Sequence, residues 1–199
     1  MWPLRVWSLL IVAGSVLPAQ QYFPPGVFET ASQGQDSKAN WYAKHLRALH
    51  EPSLFELSKD SRVEAYRFLW LRFSHHPIAV RIVVRSSGSG WIRVRMTSGQ
   101  GGSEPRRIIR YGVSWLTRRK TQSFLAALQS ADFWNLDTLP AGNGGIGGPG
   151  GAEWIVEGVQ NGHYHVIERH SPDATDPVRA IGVLALTLGR FRIRPGEVY

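Results

Sequence analysis

The sequence of 199 residues contains no cysteine and only two methionines. Without cysteine the chain has no disulfides, no thiolate nucleophile, no zinc–thiolate centre and no site for acylation of an N-terminal cysteine. A chain of this length buries a sufficient core without cross-links. The absence of disulfides therefore does not conflict with an extracytoplasmic location.

Long apolar runs are also absent. The apolar stretch of residues 6–16 is shorter than the roughly 20 residues that span a bilayer. It follows one basic residue, Arg5, and precedes a Leu-Pro-Ala segment at residues 17–19, which is the pattern of a secretory signal peptide. We predict a signal peptide over residues 1–19 and a periplasmic or secreted location. Because Leu17 is large where a small residue is preferred, an uncleaved N-terminal membrane anchor is the alternative.

Acidic residues and lysines are scarce beside arginine. The formal net charge is +8, and nineteen of the 23 basic residues are arginine. This excess predicts affinity for an anionic partner. The alternative is a GC-rich coding sequence, since Arg, Gly, Ala and Pro are all abundant. Export argues against nucleic acid, so we expect an anionic ligand or a protein partner.

The chain divides into three parts after the predicted signal peptide. Residues 20–40 lack an apolar period and are rich in Gln, Gly, Ser and Pro, which predicts a flexible segment. Residues 41–189 form a single domain, and residues 190–199 are a basic tail. The glycine-rich stretch 143–151 predicts a loop.

Periodicity within this domain predicts an α+β fold. The predicted elements are a helix at 41–50, a helical turn from Pro52, strands at 63–73, 78–85, 91–97 and 107–116, a helix from Thr117 to Ser130, a hairpin at 153–170 and a helix from Pro177 to Leu188. We expect an antiparallel sheet of about six strands with two main helices packed on one face. The other face is then open to a partner.

The hairpin at 153–170 has a predictable register. Asn161-Gly162 tolerates the positive φ angles of a two-residue type I′ turn. This turn places Gln160 opposite His163 and Glu157 opposite Val166. Alternation then separates the histidines from the glutamates, on opposite faces of the sheet.

On one face of this hairpin, His163 and His165 are candidate metal ligands. Zinc sites use three or four protein ligands, and His75 or His76 is the nearest candidate for a third. The alternative is a structural role, with His165 in a half-buried sheet and His163 at the surface. We expect no cofactor.

On the other face, Glu157 and Glu168 are diagonal neighbours. Two close carboxylates can divide acid and base roles, as in glycoside hydrolases, and His165 could assist them. The alternative is a pair of surface glutamates, or glutamates neutralised by arginine.

Arginines alternate with apolar residues on two of the predicted strands. A regular hairpin places these arginines and one tryptophan on one face, namely Arg81, Arg85, Trp91, Arg93 and Arg95. Such a face can bind a carboxylate, sulfate or phosphate group. Its alternative is a solvated sheet face kept soluble by arginine. We expect a non-catalytic binding protein, with the hydrolase and the metal-binding hairpin as alternatives.

The final third of the chain carries a recognisable order of short motifs. Phe133-Trp134 is followed by W-x-x-E-G from Trp154, G-x-Y-H-x-x-x-R from Gly162 and then Ser-Pro. This order resembles a group of functionally uncharacterised bacterial exported proteins. The chain departs from it at residues 150–151, where Asp-Gly is common, and at His170, where Trp is common. The resemblance implies export and no particular activity.

Overall fold

The computed structural model describes residues 20–29, 37–140 and 150–199. The predicted signal peptide and most of the glycine-rich stretch lie outside these residues. Within them the helices are α1 Ser37–Ala48, α2 Leu54–Leu57, α3 Arg118–Ser130 and α4 Pro177–Leu188, and the strands are β1 Ala65–Arg72, β2 Ile78–Val84, β3 Gly90–Gly99, β4 Pro105–Leu116, β5 Ala152–Gln160 and β6 His163–His170.

The six strands form one antiparallel sheet in the order β4-β3-β2-β1-β5-β6. This confirms the predicted α+β class. The hairpin of β5 and β6 also has the predicted register, from Gln160 opposite His163 to Glu153 opposite His170. Asn161 and Gly162 supply the positive φ angles of its turn, 53° and 81°.

Helices α3 and α4 pack on one face of the sheet, as expected. The side chain of Thr117 accepts a hydrogen bond from the Lys120 N–H and begins α3, and Asp176 caps α4 in the same way. Their apolar faces cover the centre of the sheet, including Phe68, Trp70, Trp154, Val156 and Ile167.

The second face of the sheet is also covered across β1, β5 and β6. Helices α1 and α2 and residues 20–29 pack there, and Tyr22, Phe23 and Phe28 are each only 4% exposed. The prediction that residues 20–40 form a flexible segment is therefore wrong for residues 20–29, because three aromatic side chains anchor them. It is also wrong for residues 37–40, since α1 begins at Ser37.

The expectation of a fully open second face is wrong for the same reason. What remains uncovered there is the end of the sheet formed by β3 and β4, where Trp91, Tyr111 and Trp115 are exposed. No helix in the described ranges is long and apolar enough to cross a bilayer.

Candidate binding surface on the sheet

The two histidines of the hairpin lie on the α3–α4 side of the sheet, and no described residue joins them as a third metal ligand. Nε2 of His165 is 2.9 Å from the carbonyl oxygen of Leu136. Because a carbonyl oxygen only accepts, the ring N–H donates to it, and burial lowers the pKa of His165 against the opposing effect of this hydrogen bond. His163 is exposed, and His75 and His76 follow the far end of β1. Among the described residues, no group of three or more His, Asp or Glu side chains could hold a metal ion.

Glu157 is fully buried beneath α2. Its Oε2 is 2.5 Å from Nη2 of Arg67, and its Oε1 accepts a hydrogen bond from the Tyr164 hydroxyl at 3.0 Å. Burial raises the pKa of Glu157, and Arg67 and Tyr164 oppose that rise. Burial lowers the pKa of Arg67, but Glu157 and Glu51 outweigh it, and the guanidinium stays charged.

Glu168 is buried in a separate cluster. Lys38 of α1 donates to its Oε2 at 2.8 Å, with both side chains almost inaccessible. Burial and the neighbouring carboxyl of Glu153 raise the pKa of Glu168 to about 7, against the opposing effect of Lys38. Glu153 in turn lies 3.1 Å from Nδ1 of His170.

These contacts change the interpretation of the predicted carboxylate pair. Glu157 and Glu168 share one face, as predicted, but each is engaged with its own cation under α1 and α2. Side-chain exposures of 0% and 2% leave no route for a substrate to either carboxylate. Carboxylates held in this way stabilise the packing of the helices on the sheet.

Two of the five residues predicted for the arginine-rich face are also internal. Arg81 donates through Nε to Oε2 of Glu51 at 2.7 Å, and the Arg95 guanidinium donates to the Leu49 carbonyl at 2.5 Å. The chain between α1 and α2 folds over β2 and β3 and supplies these acceptors. Both guanidinium groups are therefore engaged within the fold and are less accessible to a ligand than the sequence predicts.

The other three residues remain accessible and join side chains from β4. We call this set the β3–β4 surface, and it consists of Arg85, Trp91, Arg93, Tyr111, Val113 and Trp115. Trp91 and Trp115 are cross-strand partners, with ring centroids 4.8 Å apart and an interplanar angle of 82°. The Arg85 guanidinium lies 5.6 Å from the Trp115 ring. Trp91, Trp115 and Tyr111 are 43%, 46% and 61% exposed.

The β4 members of this surface were missed in the sequence. Tyr111, Val113 and Trp115 alternate with polar or small residues, which is the signal of a strand with one apolar face. Helix α1 contacts β4, but it leaves Tyr111, Val113 and Trp115 exposed, so the apolar face of this outer strand points to solvent there.

Positive charge is concentrated in this part of the molecule. Residues 78–131 contain ten basic side chains and a single acidic one, Glu104. This stretch therefore has a net charge of +9 and the rest of the chain a net charge of −1, which together give the total of +8. Apolar rings within a basic field are typical of a surface that binds an acidic partner.

The outer edge of β4 is a second feature of the surface. β4 has twelve residues, and within the described chain only β3 pairs with it. Its outward N–H and C=O groups can pair with an added strand.

Comparison of the sequence with protein-family models gave no match, and comparison with curated proteins gave none either. The resemblance to bacterial exported proteins therefore stays a prediction.

Proposed function

We propose that this chain is an exported, non-catalytic interaction protein that binds an acidic, extended polypeptide segment on its β3–β4 surface. The observation that carries the proposal is the grouping of exposed aromatic rings and arginines beside the twelve-residue strand β4, whose outer edge pairs with no other strand in the described chain. Export rests on the signal-peptide pattern of residues 1–19.

The chemistry of the surface favours a polypeptide over a simple polyanion. Tyr111, Val113 and Trp115 offer apolar contact area, which a sulfated or phosphorylated polymer uses poorly. An extended segment that alternates acidic and apolar residues would meet both the arginines and the rings. Its backbone would pair with the edge of β4, as in strand addition by other sheet proteins.

The two alternatives are less well supported by the geometry. A hydrolase needs carboxylates that a substrate can reach, and Glu157 and Glu168 are buried against Arg67 and Lys38. A metal-binding hairpin needs a third ligand beside His163 and His165.

The test uses a synthetic peptide of about ten residues that alternates valine with glutamate or aspartate, a lysine counterpart of the same length and a heparin octasaccharide. Binding is measured by calorimetry, and backbone amide shifts locate the site by NMR. We expect the acidic peptide to shift amides of β4 and the lysine peptide to cause no shifts. A version of the acidic peptide with alternate N-methylated amides should bind at least about tenfold more weakly, because it cannot pair as a strand.

Matched charge variants test the arginines. Arg85→Glu/Arg93→Glu should weaken binding of the acidic peptide by at least about tenfold. Arg192→Glu/Arg194→Glu makes the same change of charge on the exposed C-terminal tail and should have little effect. If both variants lose the same affinity for the acidic peptide, or if only heparin binds, the proposal is contradicted. The surface would then adsorb polyanions in general.

A further inference from the structure

Two clefts lie beside Trp134 at the turn end of β5 and β6, and Trp134 lines both. One has a volume of about 350 Å³ and the other about 340 Å³. Gln160 lines both. Volumes of this size are at the lower end of the range for small-ligand sites. Because β6 and β4 are opposite edges of the sheet, these clefts are separate from the β3–β4 surface.

The fold holds Trp134 in place by close packing beneath it. Gly158 of β5 leaves room for the Phe133 ring, since a Cβ there would lie 2.6 Å from a Phe133 ring carbon. The Trp134 ring then contacts Phe133 and Tyr66 edge-on, with centroid distances of 5.0 and 6.3 Å. Asp132, with a φ of 51°, turns the chain into the short 3-10 helix that carries Phe133 and Trp134. The Trp134 ring therefore rests on side chains of the hydrophobic core.

The polar groups of the larger cleft are mainly carboxamides and carboxylates, and the smaller cleft adds His163, Tyr164 and His165. Oε1 of Glu64 accepts from the Tyr66 hydroxyl at 3.2 Å and from Nε2 of Gln160 at 3.1 Å. Asn135 donates to Asp132 at 2.8 Å. These bonds fix the side chains and leave the carboxamide oxygens and further N–H groups for a ligand.

The larger cleft is acidic, whereas the chain as a whole is basic. Within the described chain, neither cleft is lined by lysine or arginine, and Glu64 and Asp132 line the larger one. An anionic ligand would be repelled there. The mixture of donors and acceptors suits hydroxyl groups, which both donate and accept, better than a cation, which only donates.

We propose that these clefts bind a neutral oligosaccharide, with one sugar ring in each cleft against Trp134. The apolar C–H face of each ring packs on the indole, and the carboxamides and carboxylates hydrogen-bond to the hydroxyls. The indole N–H of Trp134 donates no hydrogen bond to a described residue and is a further donor for the sugar.

The test is a titration of the full mature chain with cellohexaose, maltohexaose and N-acetylchitohexaose, followed through the indole N–H signal of Trp134 by NMR. Hexagalacturonate and putrescine are the anionic and cationic comparisons. We expect at least one neutral sugar to move the Trp134 signal, with no comparable shift from either charged compound. Trp134→Ala and Asn135→Ala should each raise the dissociation constant at least about tenfold.

Two controls keep the result interpretable. Trp115→Ala removes a tryptophan from the opposite edge of the sheet and should leave sugar binding unchanged while weakening the acidic peptide. Asn135→Ala removes an exposed polar contact, so it tests the site even if Trp134→Ala lowers stability. The proposal is overturned if no neutral sugar shifts the Trp134 signal, if putrescine or hexagalacturonate binds more tightly, or if Asn135→Ala has no effect on binding.

Discussion

Arg67 and Glu157 are direct cross-strand partners in β1 and β5, and their charged groups meet at 2.5 Å with neither side chain accessible to solvent. A second acceptor for this arginine is the carbonyl of Pro52 at 2.6 Å. The pair therefore connects the centre of the sheet to the chain that enters α2. Its energetic role follows from the cost of leaving either charge alone in the interior.

We expect Arg67→Met to lower the free energy of unfolding by about 3–5 kcal/mol, because it leaves the Glu157 carboxylate buried without its cation. The double variant Arg67→Met/Glu157→Leu removes both charges and should recover more than about 2 kcal/mol of that loss. Urea denaturation of the parent and both variants measures these differences. A double variant that is less stable than Arg67→Met would contradict this account.

The pKa of Glu168 predicts a pH dependence of stability. Its rise from the ordinary 4.5 to about 7 means that the folded state keeps a proton that the unfolded state releases. The contribution of Glu168 to the free energy of unfolding is therefore greatest below about pH 4.5. It falls as the pH rises to 7, by at most about 3 kcal/mol. Glu168→Gln imitates the protonated side chain and should lose most of this dependence.

Urea midpoints between pH 4.5 and 8 provide the measurement. Glu104→Gln is the matched control, because the Glu104 side chain is 76% exposed. Its urea midpoint should change with pH as steeply as that of the parent. An unchanged slope in Glu168→Gln would show that another group is responsible.

Gly182 of α4 is a close-packing position against the aromatic core. A Cβ there would lie 2.5 Å from a ring carbon of Trp154 and 2.8 Å from one of Phe68. Replacing glycine by alanine within a helix normally adds about 0.5–1 kcal/mol of stability. We expect Gly182→Ala to lower it by about 1–3 kcal/mol instead, since both rings must move.

Thermal and urea unfolding show whether Gly182→Ala is more or less stable than the parent. Gly196→Ala is the control, because no atom lies within 4 Å of the added Cβ, and it should leave stability unchanged. A stabilised Gly182→Ala would mean that the core accommodates the methyl group easily.

Local signals predicted the hairpin and the helix ends. The Asn161-Gly162 turn fixes the β5–β6 register because only one residue pairing satisfies a two-residue loop. Thr117 and Asp176 mark the starts of α3 and α4 because their side chains cap free N–H groups. In each case the determining contact lies within a few residues along the chain.

The contacts that decide which side chains are accessible to solvent join residues far apart in the sequence, and the sequence did not reveal them. Tyr22, Phe23 and Phe28 have no helical or strand period, yet they pack on the second face of the sheet and help to bury Glu157 and Glu168. Lys38 reaches Glu168 across 130 positions of sequence. Hydrophobic periodicity identifies an apolar face, but it does not identify which distant segment covers that face.

The binding surface was predicted in part for a similar reason. Arg85, Trp91 and Arg93 were identified because β2 and β3 are joined by a short turn. The pairing of β3 with β4 shifts register near Met96 and Thr97. Alternation alone therefore did not place Trp115 opposite Trp91 or Tyr111 opposite Arg95.

The uneven distribution of charge along the chain makes the protein a permanent electric dipole. Its positive end is the β2–β4 and α3 part of the fold, which contains residues 78–131. In the field of an anionic partner, a dipole rotates before contact, so the molecule approaches with β4 leading. The association rate should therefore fall as ionic strength rises and the Debye length shortens, while the dissociation rate changes much less.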